Sequence, residues 1–156
     1  HFGVEYTAQI WASIGFVGMF SGLALGALSD RIGLRGAMLM VYVCVATAAV
    51  ILVVAPTGYW PLVAGVVFAV AFYPIFGLIP AYVSKMASRA ALAVTIFGIA
   101  NIMQGIGGML GNYCAGLLAS LSGSFVAVYG VIAGVAVVLA VLTACLPNER
   151  GGRQAA

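Results

Sequence analysis

Residues 6–29, 36–84 and 90–148 contain no Asp, Glu, Lys, Arg or His. No other feature restricts the fold as much. A water-soluble domain carries roughly a quarter of its residues as charges, whereas this chain is 6% charged and 65% hydrophobic. Its natural solvent is lipid. Inside a bilayer the backbone must satisfy its own hydrogen bonds, which leaves helices and closed barrels. The apolar runs lack the two-residue alternation of barrel strands. They are long enough for helices, each of which needs about 20 apolar residues to cross. Turn residues and charges divide them into five runs, at 7–29, 37–56, 60–84, 91–121 and 124–146. The expected fold class is therefore all-α: a polytopic transmembrane helix bundle of five spans over 1–146, followed by a cytoplasmic tail at 147–156.

The basic residues give a direction. Arg31 and Arg35 fall between the first and second runs, Lys85 and Arg89 between the third and fourth, and Arg150 and Arg153 in the tail. The intervening connections, "PTGYW" and "SLSGS", hold no Lys or Arg, and the stub before the first run has only Glu5 as a clear charge. With five crossings, every Lys and Arg lies on one side, which the positive-inside rule assigns to the cytoplasm. The expected location is the inner (plasma) membrane, with the N-terminal end outside and the C-terminus inside.

Several chemistries find no support in the residues. Cys44, Cys114 and Cys145 are far apart in apolar runs, without metal-ligand spacing, and read as small buried hydrophobes. The run Gly105-Ile106-Gly107-Gly108-Met109-Leu110 fails the dinucleotide fingerprint, because Leu110 stands in the third glycine's place and no strand precedes it. There is no phosphate loop, and the single histidine is the terminal His1. No enzyme, cofactor, metal or nucleic-acid partner is expected. No ionisable residue sits in the middle of a span, so a proton-coupling group, if there is one, is expected elsewhere. The first run follows His1-Phe2-Gly3-Val4-Glu5 without the basic start of a signal peptide.

The runs also repeat one another. "VYVCVATAAVILVV" at 41–54 aligned with "VYGVIAGVAVVLAV" at 128–141 shares Val41/Val128, Tyr42/Tyr129, Ala46/Ala133, Ala49/Ala136, Val50/Val137, Leu52/Leu139 and Val54/Val141. "GMFSGLALGAL" at 18–28 aligned with "GMLGNYCAGLL" at 108–118 shares Gly18/Gly108, Met19/Met109, Gly26/Gly116 and Leu28/Leu118. The first run thus corresponds to the fourth and the second to the fifth. A period of three helices inverts the second copy in the membrane, as in many secondary transporters. The third run then needs a counterpart, and the repeat implies a further helix just upstream of His1.

Between the first two runs the chain reads "GALSDRIGLRG". The pattern Gly26-x-x-x-Asp30-Arg31-x-Gly33-x-Arg35 resembles the cytoplasmic loop motif of the major facilitator superfamily, found between the second and third helices of each six-helix half. Leu34 departs from it, standing where the family usually has a second basic residue. Physically, Asp30 suits the positive end of a neighbouring helix, Gly33 a turn and Gly26 a close approach. The two arginines suit acids or lipid phosphates. On the resemblance, Gly26, Asp30, Arg31, Gly33 and Arg35 form a conformational latch.

Downstream, "IPAYVSKMASRAALAVTIFGIANIMQGIGGMLGNYCAGLLA" is similar to the tenth and eleventh helices of bacterial members, with Asn112 where many have Pro. The five runs would then be the family's eighth to twelfth helices, most of a C-terminal half with inverted three-helix repeats. The partners implied are a small solute, membrane lipid and the N-terminal half of the same transporter.

Candidate contact residues follow from type and spacing. The third run opens with Trp60-Pro61 and holds Pro74 and Pro80, each of which removes a backbone donor and bends a helix. Phe72, Tyr73 and Phe76 lie beside the first bend. The resemblance makes this helix cavity-lining, with Tyr73 and Phe76 as contacts; packing between helices competes with that reading. Asn101, Gln104, Gly108 and Asn112 fall on one helical face, and polar amides at lipid depth turn inward. Asn101 and Gln104 suit a substrate or helix-to-helix bonding equally. Gly108 and Asn112 suit packing, as do Gly18 and Gly22 of the first run's Gly-x-x-x-Gly series.

The expected function is transport of a small solute by alternating access. The alternative is a stand-alone multi-pass membrane protein with a structural or assembly role. The threading is directly testable in a cysteine-free background. Thr57→Cys and Ser124→Cys should react with an impermeant maleimide in right-side-out vesicles, and Ile32→Cys and Ser88→Cys only in inside-out ones. Labelling of positions 57 and 88 from the same side would contradict five spans.

Overall fold

The structure is a computed structural model that describes residues 3–147. The tail arginines Arg150 and Arg153 lie outside the described residues. Five helices follow one another: α1 Val4–Ile32, α2 Leu34–Val54, α3 Trp60–Met86, α4 Ala90–Ser122 and α5 Val126–Cys145. All five are long and apolar enough to cross a membrane, and the described residues contain no strand.

The boundaries have local causes. Gly33 separates α1 from α2 at φ 89°, ψ 157°, a conformation open to glycine alone. It allows α1 to continue through Asp30 and Arg31 and α2 to start at once. α2 stops just before Pro56, and α3 begins with Pro61 in its first turn, where a missing N–H costs nothing. Gly123, at φ 66°, ends α4 in the left-handed region. α4 has 33 residues, about 50 Å at 1.5 Å per residue, so it outruns a hydrocarbon core of about 30 Å.

Side-chain bonds sort the helix ends into two groups. Arg35 in the first turn of α2 donates to the Ala144 carbonyl in the last turn of α5. Tyr82, near the end of α3, donates to the Pro147 carbonyl at 2.8 Å. These ends share one side of the bundle, the side of Arg31, Arg35, Lys85 and Arg89. At the opposite side Tyr6 of α1 donates to the Gly58 carbonyl, between α2 and α3, at 2.8 Å. Tyr59 stacks on Trp60 there, ring centroids 4.9 Å apart, as befits an interfacial aromatic belt.

α2 is the centre of the bundle and packs along both α3 and α5; α3 also packs along α1. The main apolar cluster joins Leu25 of α1, Leu34, Ala37, Met38 and Val41 of α2, and Ala71, Leu78 and Tyr82 of α3. α4 touches only α3 and α5, lightly, and contains no buried residue.

α1 buries Ile14, Gly18, Ser21, Leu25 and Ser29, one stripe at helical spacing. At its middle Gly18 lies against the Tyr73 ring: a Cβ on Gly18 would collide with the Cδ2–Cε2 edge of that ring. Ser21 brings its hydroxyl within 3.2 Å of the Ala69 carbonyl of α3, and 2.9 Å of the Gly18 carbonyl of its own helix. Small residues thus let α1 and α3 approach closely, the usual device where lipid supplies no hydrophobic drive between helices.

Gly18→Leu should destabilise the detergent-solubilised protein by about 1–3 kcal/mol through overpacking, read as a lowered Tm. Adding Tyr73→Ala should restore most of the loss. Gly22→Ala, at a position with open space around the added Cβ, should hold or raise Tm. Equal tolerance of Gly18→Leu and Gly22→Ala would refute the close approach.

Candidate functional site

The connection between α1 and α2 is held by a set of local hydrogen bonds. Ser29 donates to the Gly26 carbonyl at 2.6 Å, the Gly33 N–H to the Ser29 carbonyl at 2.8 Å, and the Ala37 N–H to the Gly33 carbonyl at 3.0 Å. Each bond follows from local spacing, and together they fix the reversal. Gly33 and Leu34 are buried, Arg35 is half-buried, and Asp30 and Arg31 are exposed. Gly26 is exposed, with nothing within 4 Å of an added Cβ, so any backbone that approaches it lies outside the described residues.

On α3 the stretch around Pro74 carries a row of aromatic rings. Phe72 is its hub: Phe68 stacks on it at 5.0 Å, and Tyr73 and Phe76 meet it edge-on, both at 5.4 Å. Pro74 is buried within this stretch. Having no N–H, it leaves the Val70 carbonyl without its helical partner, as Pro80 does for Phe76. Tyr73 and Phe76 are 44% and 46% exposed. Tyr73 has two surroundings, since one face of its ring covers Gly18 of α1 while the rest stays open.

On α4 the residues Asn101, Gln104, Gly108 and Asn112 are all exposed. Among the described residues the three amides make no hydrogen bond, and nothing lies within 4 Å of a Cβ on Gly108. The structure does not bring this stripe to the α3 aromatics: α3 and α4 meet only lightly. On α1, Ser13 donates to the Gln9 carbonyl of its own helix at 2.8 Å. Of the glycine series, Gly18 is buried and engaged, whereas Gly22 is exposed and open.

A cavity of about 650 Å³ opens at the other end of the bundle, among α1, α2, α3 and α5, walled by Trp11, Ile14, Leu52, Phe68, Phe125 and Tyr129. None of the candidate contact, latch or helix-packing residues lines it. Its walls are contributed by four helices at no common spacing, so no local signal announces it. Ser21 and Tyr82 were equally invisible, since their partners lie far away in the chain. Among the described residues there is no group of His, Cys, Asp or Glu that could hold a metal ion.

Chemically the arrangement offers a fixed polar loop, an aromatic row beside a helix proline and an amide stripe without hydrogen bonds among the described residues. It is suited to binding and movement. The family described as Major Facilitator Superfamily matches residues 1–112, from the start of the chain through the amide stripe. Neither a search of curated proteins nor one of solved structures returned a match.

Proposed function

The chain belongs to the major facilitator superfamily, a family of transporters, and from that premise we propose that its five helices are the eighth to twelfth of a secondary transporter. In this reading they move a small solute by alternating access against an N-terminal half. The basic ends face the cytoplasm, across the inner membrane. α3 and α4 border the solute path, with Tyr73, Phe76, Asn101 and Gln104 as contacts, and the loop at Gly26–Arg35 latches one state.

The observation that carries this reading is the extent of the family match, which includes the loop, the proline-containing helix and the amide stripe. The packing supports it in two ways. α2 and α5, equivalent by repeat, pack on each other, and the equivalent pairs Val41/Val128 and Ala49/Ala136 are buried on both. Among the described residues the amides of α4 lack partners, and leaving them against lipid is costly; water or a facing helix removes that cost. Tyr73 serves both packing and path, because its ring spans the α1–α3 crossing and remains 44% exposed.

Accessibility tests the path. In a cysteine-free background of the intact protein, Asn101→Cys and Gln104→Cys should react with a water-soluble maleimide. Met103→Cys and Leu110→Cys should react at least about tenfold more slowly, since a thiol in lipid rarely forms the reactive thiolate. If positions 101 and 104 are as inert as 103 and 110, the amide stripe is not part of an aqueous path.

A further inference from the structure

The end of α5 is finished in an unusual way. It has no glycine cap: Leu146 follows in an extended conformation at φ −66°, ψ 148°, and the last turn holds no basic residue. The final carbonyls of a helix have no partner within it. Here the Thr143 carbonyl accepts the Leu146 N–H at 3.1 Å. The next one, Ala144, accepts from the Arg35 guanidinium of α2. Just past the helix, the Pro147 carbonyl accepts from Tyr82 of α3 at 2.8 Å. Arg35 is half-buried and Tyr82 is buried in the main cluster beside Leu34 and Met38. Both donors are therefore held by packing as well as by these bonds.

We propose that Arg35 and Tyr82 are positioning residues that clasp the end of α5, joining it to α2 and α3 as one body. Arg35 supplies the cation that the helix C-terminus favours and its own last turn lacks. Its guanidinium is a planar donor set that a lysine cannot copy. Tyr82 fixes the direction in which the chain departs. The loop's second arginine thus acts within its own bundle. When the Gly33 reversal moves, the end of α5 moves with it. The clasp is independent of any solute, so it stands or falls apart from the transport reading.

Hydrogen exchange on the intact protein in detergent tests it, following peptides that cover the end of α5. Cys145, exposed in the last turn, gives a second readout by maleimide labelling in a Cys44→Ser, Cys114→Ser background. Arg35→Ala should speed both at the end of α5 on the order of tenfold, the effect of losing one charged hydrogen bond, with α1 and the middle of α3 unchanged. Tyr82→Phe should act in the same direction and less, and Arg35→Lys should fall between wild type and Arg35→Ala. Leu25→Ala, a core truncation, should lower Tm without singling out α5. Unchanged exchange and labelling at the end of α5 in both Arg35→Ala and Tyr82→Phe would overturn the clasp. So would an Arg35→Ala protein that loosens α1 and α3 as much as α5. If Arg35→Ala does not fold, Tyr82→Phe, which removes a single hydroxyl, decides alone.

Discussion

In lipid, a helix gains little by exchanging acyl chains for another helix, so whatever joins helices must come from close backbone approach and from hydrogen bonds that cross between them. The rest of the bundle follows from that constraint. The α1–α3 crossing meets it with Gly18 under the Tyr73 ring and Ser21 beside the Ala69 carbonyl. The ends meet it with Tyr6 to Gly58, Arg35 to Ala144 and Tyr82 to Pro147. α4 shows the converse. The hydroxyls of Thr95 and Ser120 bond to carbonyls of their own helix, at Ala91 and Leu117. Its amides have no partner among the described residues, and the helix is buried nowhere.

The ties are unevenly distributed along the bundle. At the basic end, α2, α3 and α5 are gathered by side chains that reach across to backbone carbonyls, above a cluster running from Leu25 to Tyr82. At the other end the same helices part around an apolar cavity of about 650 Å³. A body tied at one end and loosely packed at the other is suited to tilting as a unit. In the transport reading, the prolines of α3 add a bend at the middle of that body, and α1 and α4 present the surfaces along which it would move.

What could be read from the sequence was whatever is local or periodic. The five helices follow from the charge-free runs, and the family from the spacing of Gly26, Asp30, Gly33 and Arg35 together with the text of α3 and α4. The glycine at position 33 was legible as a turn because only glycine tolerates its φ of 89°. The helix ends shifted by a few residues, most at α1, because Glu5 and Asp30 bound a charge-free stretch without ending a helix. Contacts across the chain were not legible. Gly18 and Gly22 share one sequence pattern, yet only Gly18 meets a ring, and nothing in the spacing distinguishes them. Arg35 reads as a loop cation from its neighbours, and its bond to Ala144 appears only when α2 and α5 lie side by side. The cavity at the end away from the arginines was hidden for the same reason, because Trp11, Phe68 and Phe125 come together only in three dimensions.

In the transport reading, this bundle and its N-terminal half carry a solute by exposing one site alternately to the two sides of a membrane. Counterflow measures that property itself. Proteoliposomes of the intact protein would be loaded with an unlabelled extract of small metabolites, placed in a trace of the same extract uniformly isotope-labelled, and their contents read by mass spectrometry. Alternating access requires that at least one labelled solute accumulate transiently above its outside concentration, and only when its unlabelled twin is inside. Entry of labelled solutes at rates indifferent to what the lumen contains, or no entry at all, would contradict it.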